Sequence, residues 1–476
     1  MEALWRALGG DIERAGQVRF VGEQAGLASP YDVHGFAEAC VAAAALAVCE
    51  FAEARRARGP GPRGIASEVQ IDRRHVAAAF RSERHLVPVG WGLPPAWDLI
   101  AGDYRTRDGW IRLHTNYAWH REPVLRVLGV AAERAAVSAA VSTWDGESLE
   151  AAVVAAGGCA ALCRTPAEWA AHAQGRAVTG EALIAFTRHP PTDPLEPGPL
   201  GDSGLRADRQ APLSGLRILD LTRVIAGPVA TRFLASCGAD VLRIDPPLFD
   251  EVAALLPDTT WGKRCGALDL RAPGDRSRFL ELVTGAHVLV HGFRKSALPR
   301  LGLDVARLRT LNPGLVMVGL NAYGATGPWS DRRGFDSLVQ MSTGIADTGR
   351  RSAGGDCPVP LPAQALDHGT GYLAAAAVVR GLTERLAGEV VQAHLSLART
   401  AAELARRGDQ HDLERPVAGQ TPPRGPLTDA ETAPFLDLDP SEFGPVHHVR
   451  APVSCDGAPP CTLRPAGPLG RHPAVW

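Results

Sequence analysis

Between Phe36 and Arg56 the chain is apolar and alanine-rich, and Gly59-Pro60 ends the run. That pattern predicts a long helix, followed by a strand-like segment around Ile65 to Ile71. The texture changes near Trp97. Tyr104 to Arg112 alternates about Asp108-Gly109, a hairpin signal, and Ala/Glu-rich helical stretches follow to about Val178. Beyond Leu213 short β-rich runs take turns with helical ones. Strands are predicted at Arg217 to Leu221, Val241 to Ile244, Val288 to Val290 and Leu315 to Leu320, and helices at Val229 to Ser236 and Ser277 to Leu282. Such alternation predicts an α/β fold with a doubly wound, Rossmann-like parallel sheet and a smaller α+β domain.

Five segments follow from these changes. Residues 1–95 are helix-rich and join the large domain, and 96–180 form the small α+β domain. Residues 181–211 read as an interdomain linker, because Pro190, Pro191, Pro194, Pro197 and Pro199 resist helix and sheet. Residues 212–407 are the Rossmann-like domain and 408–476 an irregular, proline-rich tail. An internal echo cuts across these segments. Asp32-Val-His-Gly-Phe precedes an alanine-rich helix and then Glu68-Val-Gln-Ile-Asp72, much as Asp367-His-Gly-Thr-Gly-Tyr precedes another and then Val391-Gln-Ala-His-Leu395. A decayed duplication and a coincidence of two alanine-rich helices both account for it.

Composition narrows the class. With 476 residues, 45% of them hydrophobic, and a formal net charge of −2, the chain can bury a large core and exceeds one simple domain. Its basic residues are scattered among acidic ones, so nucleic acid is not an expected partner. The nine cysteines include no CxxC pair, and Cys159 and Cys163 have no histidine at ligand spacing. No metal is therefore expected, and the thiols read as reduced in a soluble cytoplasmic protein. Glu2, Asp11, Glu13 and Glu23 stand where a secretory signal would be basic and then apolar. The most apolar stretch, Val41 to Val48, reads as too short to span a bilayer, so no membrane is expected.

Candidate chemistry begins at Leu213-Ser-Gly-Leu-Arg-Ile-Leu-Asp-Leu-Thr-Arg-Val-Ile-Ala-Gly-Pro228, which runs from a strand through a tight turn into a helix. The N–H groups of such a turn suit a phosphate or similar anion, although many α/β proteins share it. More specific blocks follow: Cys237-Gly-Ala-Asp-Val-Leu-Arg-Ile-Asp245, Gly262-Lys-Arg-Cys-Gly-Ala-Leu-Asp-Leu270, Val290-His-Gly-Phe-Arg-Lys-Ser-Ala-Leu-Pro-Arg-Leu-Gly302, Leu311-Asn-Pro-Gly-Leu-Val316, Tyr323-Gly-Ala-Thr-Gly-Pro328 and Arg333-Gly-Phe-Asp336. In this order they resemble the family III CoA-transferases, a superfamily that includes formyl-CoA and carnitine CoA-transferases and α-methylacyl-CoA racemases. More faintly, Tyr104-Arg-Thr-Arg-Asp-Gly-Trp-Ile111 resembles the start of the family's small domain, and Gly467-Pro-Leu-Gly-Arg-His472 its C-terminal signature. In the family the small domain follows the nucleotide-fold half, whereas here it precedes it. The chain thus resembles a permuted member, or a tandem fusion in which each copy has lost a part.

The resemblance implies that Asp367, before an Ala/Gly-rich helix, attacks the acyl-CoA carbonyl. It implies CoA contacts at Val224, Ile225, Ala226, Leu268, Arg271, Phe293, Arg300, Arg333 and Phe335, with Gly292 standing where transferases commonly carry Asn. Apart from the family, an Asp at a helix start lies near the positive end of the helix dipole, which favours its ionised, nucleophilic form. Gly369 and Gly371 would leave room for a thioester, and neighbouring N–H groups could hold an oxyanion. A plain helix cap remains the alternative for Asp367, and His368 reads as structural. Trp110, Tyr117 and Trp119 are candidates either for an apolar acyl site or for core.

The implied reaction moves CoA from an acyl-CoA to a carboxylic acid through an aspartyl anhydride and an aspartyl-CoA thioester. Coenzyme A and acyl-CoA are then substrates, with no cofactor bound permanently, and the implied assembly is a homodimer of interlaced chains. Related racemases use a histidine where this chain has Phe335, which favours transfer. An acyl-CoA racemase or isomerase would need a histidine from elsewhere, such as His291 or His368. A non-catalytic CoA-binding subunit is the other alternative.

Overall fold

The computed structural model describes residues 1–58, 68–189, 211–408, 425–455 and 464–476. The elements that position the site include, in chain order, helix α1 (Val33–Arg58) and the small-lobe strands β1 (Gly102–Arg105), β2 (Trp110–Leu113) and β3 (Ala160–Leu162). Strand β4 (Ala185–His189) leads to the large domain: β5 (Arg217–Leu221), α2 (Ala226–Ser236), β6 (Asp240–Asp245), β7 (Lys263–Ala267), β8 (Val288–His291), β9 (Val316–Asn321), α3 (Asp336–Ser342), α4 (Ala365–Leu386) and β10 (Val390–Ser396).

The large sheet runs β7-β6-β5-β8-β9-β10-β4. Its first six strands are parallel and β4 lies antiparallel to β10. All six residues of β9 are buried, as befits a parallel strand covered on both faces. Strand order reverses between β5 and β8, and in such sheets ligands sit outside the carboxyl ends of the strands at that reversal.

Helices α1 and α4 lie side by side and parallel. Gly369 faces Phe36 near their starts, and Arg380 bonds Glu50 further along. Both are lined with small residues: Ala42 to Ala45 and Ala374 to Ala377 are fully buried. The expectation of an apolar run too short for a bilayer is corrected, since residues Val33–Ala57 are long and apolar enough by length and composition. Burial against α4 accounts for that apolarity, with 89% of its most apolar window inside the fold. The internal echo is architectural. Val18–Val21 and Val69–Asp72 pair in parallel with α1 between them, the same order as β9, α4 and β10. Asp32 caps α1, its carboxylate accepting the Gly35 N–H at 2.8 Å.

The small lobe folds three antiparallel strands against helices around Ile100, Tyr104, Ile111, Val137 and Leu149. A buried ion triad seats it on the large domain. Glu150 takes Arg164 at 2.5 Å and Arg332 at 3.0 Å, and the Arg164 N–H donates to the Met341 carbonyl at 3.0 Å.

Two boundary expectations change. The range read as a linker, 181–211, begins with β4, an edge strand of the main sheet, while 190–210 lie outside the described residues. The range read as an irregular tail contains Leu436–Asp439 and Val446–Val449, which pair with each other and with Val87–Pro88, and Ser454–Cys455, which pairs with Val69–Asp72.

Candidate active site

The loop after β5 is built from inside. Asp220, fully buried, accepts the Thr222 N–H at 2.9 Å, the Thr231 hydroxyl at 2.6 Å and the Lys263 ammonium at 3.1 Å. These bonds pin the turn against α2. Gly227 is obligatory there, because a Cβ would stand 2.1 Å from Thr222 Cβ. Val224 holds φ +64°, a left-handed conformation that strains a β-branched side chain by roughly 1–3 kcal/mol. Its N–H donates to Glu251 at 3.3 Å. The same carboxylate accepts the Tyr117 hydroxyl of the small lobe at 2.5 Å and Arg243 at 2.9 Å. One buried carboxylate therefore holds the strained loop and seats the other lobe.

A rim of cations surrounds the carboxyl edge. The Arg223 guanidinium lies 3.9 Å from the Phe249 ring centre and 5.8 Å from that of Phe293, joining three loops. Asp331 is shared by Arg294 at 3.9 Å and Arg300 at 3.8 Å. Lys295 donates to the Ala325 carbonyl and Arg333 to that of Gly157, so neutral carbonyls hold them rather than carboxylates. Burial lowers the proton affinity of Arg294, and the charge of Arg333 lowers it further. Such a surplus suits phosphate oxygens.

The expected CoA contacts divide by place. Val224, Ile225, Phe293, Arg333 and Phe335 stand on loops after β5, β8 and β9, Ala226 opens α2, and Arg300 ends the short helix Ala297–Arg300. Leu268 turns instead into the core with Leu219 and Leu242. Arg271 projects into solvent, paired with Asp269 at 2.9 Å. Phe335 stacks face to face on His114 at 3.7 Å, with His120 at 5.7 Å. Burial holds His114 down at about 3 and His120 at about 4, so both imidazoles are neutral at physiological pH. Trp110 packs beside Phe335 in the cluster of Cys159 and Met341, and Tyr117 stacks on Trp119 at 4.7 Å. Arg223, Glu251, His114 and His120 were not singled out from the sequence, because only the fold brings them here.

Asp367 sits in the first turn of α4, with 7% of its surface exposed. Its carboxylate accepts no hydrogen bond from the described residues. The N–H groups of Leu366 and Asp367 both donate to Asp336 at 2.9 Å, and that of His368 to the Gln364 carbonyl at 3.0 Å. The expectation of nearby free oxyanion donors is thus corrected: Asp336 has taken two of them. The expected ionised state is corrected as well. Burial, then the charges of Asp336 and Glu83, raise the proton affinity of Asp367 well above the ordinary carboxylate range. Asp336 itself is pushed up to about 6 by burial. Nor do the glycines leave room for a thioester. A Cβ at Gly369 would meet the Phe36 ring at 2.4 Å, and one at Gly371 the Ala226 carbonyl at 2.6 Å, so both serve close helix packing. His368 is structural, fully buried, with Nε2 3.1 Å from Glu83 and its ring stacked on Phe80.

The parallel order β7-β6-β5-β8-β9-β10, with the strained Val224 loop and the arginine rim at its point of reversal, defines a doubly wound, Rossmann-like α/β fold. Residues 213–435 match the family model described as CoA-transferase family III. It is 29% identical over 302 residues to an acetyl-coenzyme A transferase of Hypoxylon pulicicidum, covering 60% of this chain and 51% of that protein. A succinate–glutarate CoA-transferase of Agrobacterium fabrum is 35% identical over 156 residues, 29% of this chain and 39% of its own. A probable fatty acyl-CoA transferase of Mycobacterium tuberculosis is 32% identical over 187 residues, 37% of this chain and 47% of its own. A crystal structure of the latter superposes on 43% of this chain and 60% of its own, with 28% identity and a TM-score of 0.39. The chain thus spans about half or less of the length of these curated relatives.

Proposed function

We propose that the protein transfers CoA from an acyl-CoA to a carboxylic acid, with Asp367 as the nucleophile. The observation that carries the reading is this carboxylate: buried, free of hydrogen-bond donors and flanked by Asp336 and Glu83. Every feature that raises its proton affinity also raises its basicity toward a carbonyl carbon. Acylation removes its charge and with it both the desolvation penalty and the repulsion. An Asp367 oxygen attacks the thioester carbonyl and the C–S bond breaks, giving an aspartyl anhydride and CoA thiolate. The thiolate attacks the aspartyl carbonyl, releasing the first acid and leaving an aspartyl-CoA thioester. The acceptor carboxylate then displaces the thiolate to form a second anhydride, and thiolate attack on its acyl carbonyl yields the new acyl-CoA and free Asp367. Thioester energy is retained throughout.

The CoA phosphates would lie on the rim of Arg223, Arg294, Arg300 and Arg333, with the pantetheine arm passing Val224 to Ala226 toward α4. Acyl-CoA and carboxylate partners fit the relatives, whose names include a transferase for succinate and glutarate. A homodimer and a cytoplasmic setting belong to the same proposal, on the strength of the family resemblance. The test incubates the protein with an acyl-CoA and seeks a hydroxylamine-sensitive mass increment on the Asp367 peptide. Asp367→Ala should lose adduct and transfer while still binding CoA. Full turnover by that variant would defeat the assignment.

A second reading, α-proton exchange, is favoured by one observation: neutral His114 stands against Phe335, where related racemases carry their histidine. Deuterium incorporation at the α-carbon of a branched acyl-CoA, lost in His114→Ala, would replace the transfer reading.

A further inference from the structure

Beside the start of α4 lies a cavity of about 140 Å³ between the two lobes. It abuts the carboxylate cluster on two sides. Gln364, the residue before α4, lines it, as does Gln340, whose amide donates to Asp336 while its oxygen accepts the Leu361 N–H at 2.7 Å. Arg84, adjacent to Glu83, lines it from the N-terminal segment.

The lining is divided. Met341, Ala346 and Leu361 give an apolar floor, whereas Arg112 and Ser337 are polar and incompletely satisfied. Among the described residues the Ser337 hydroxyl, on a residue 6% exposed, has no partner, and neither has Arg112 Nε. Asp103 takes another Arg112 nitrogen at 2.7 Å, and Trp97 lies under the guanidinium at 5.1 Å. A guanidinium offers five donors, so this arginine keeps capacity for a second carboxylate. Buried polar atoms without partners call for an explanation, and a ligand that supplies the acceptors is one. Size sets the rest. A cavity of about 150 Å³ is filled by benzene, so this one admits an acyl group of roughly six to eight non-hydrogen atoms.

We propose that the cavity is the acyl and acceptor pocket and that it selects short dicarboxylic acids. Methylenes lie on Met341, Ala346 and Leu361, and the distal carboxylate meets Arg112 Nε and the Ser337 hydroxyl. The near carboxyl points past Gln364 to Asp367. This deepens the transfer reading and rests on it.

The experiment compares wild type with Arg112→Ala and Ser337→Ala, using succinate, butyrate and octanoate as acceptors from acetyl-CoA. Wild type should prefer succinate, and either substitution should lower the succinate-to-butyrate ratio of kcat/KM about tenfold, as expected on losing a charged or buried hydrogen-bond partner. Octanoate should be poor throughout. A ratio unchanged in both variants, with transfer intact, would overturn the pocket assignment and leave the transfer reading standing. A readout without turnover separates the two. Succinate alone should raise the melting temperature of wild type more than butyrate does, and Arg112→Ala should erase the difference. That result would uphold the pocket even if no transfer were found; no succinate effect on wild type would sink it. Ser337→Ala guards against misfolding of the arginine variant.

Discussion

Replacing Asp367 by Asn should abolish transfer and yet stabilise the protein at neutral pH. The physical reason is the company the carboxylate keeps. Asp336, pushed up to about 6, stands some two units above the ordinary carboxylate value, and each unit corresponds to about 1.4 kcal/mol. The pair together therefore carries about 3 kcal/mol or more against the ionised state at pH 7.5. The sign follows from the direction of the shift. Both folded-state affinities are raised, so the stability of the protonated form is complete below about pH 4 and is lost as pH rises through 6 and beyond. Asn keeps the shape, cannot ionise and relieves Asp336 of its neighbour. A gain of about 1–3 kcal/mol is expected at pH 7.5, or roughly 2–12 °C at about 2–4 °C per kcal/mol for domains of moderate size. At pH 5 the gain should largely vanish. Thermal melts at both values, with Asp367→Ala as a cavity control, check it. A loss of stability at pH 7.5, or an equal gain at both pH values, would refute the electrostatic account.

Turnover should need ionised Asp367, so kcat/KM should decline on acidification through a limb well above the ordinary carboxylate range. A limb near pH 4 in a pH–rate profile would contradict that. Gly371→Ala forces a methyl against the Ala226 carbonyl and should destabilise by about 1–3 kcal/mol while lowering kcat, since α4 carries the proposed nucleophile, Asp367. Chemical denaturation reads the first effect and steady-state kinetics the second. Glu251→Gln loses a charged acceptor for Tyr117, Arg243 and the Val224 N–H, and should raise the KM for acyl-CoA several-fold more than it lowers kcat. Equal effects on both, at unchanged stability, would place Glu251 in the chemistry instead.

The parallel sheet was legible because its central strands are continuous β-branched and leucine runs, as in Val288–His291 and Val316–Asn321. Strand β7 was quoted as a motif but not as a strand, for Lys-Arg-Cys-Gly-Ala shows neither alternation nor β-branching. Strand β4 disappeared into the linker because Ala-Phe-Thr-Arg-His reads as polar and sits against prolines. The place of Asp367 was visible, but its state was not. Asp336 and Glu83 approach it from 31 residues before and from the far N-terminal segment, and no local rule about helix dipoles registers them. Likewise Tyr117 and Glu251 meet across 134 residues, a contact that only the docking of the lobes creates. Leu268 and the two glycines show the opposite error, in which packing roles were taken for ligand roles.

Because α4 is clasped by α1 on one side and α2 on another, with alanine and glycine at the seams, Asp367 stands on a closely packed support. Close packing of this kind leaves little room to re-aim its side chain. Discrimination would then fall to the seam where the small lobe meets the large domain, held by Tyr117 and the Glu150 triad. An evolutionary change of substrate would be sought along that seam and not on the buried face of α4.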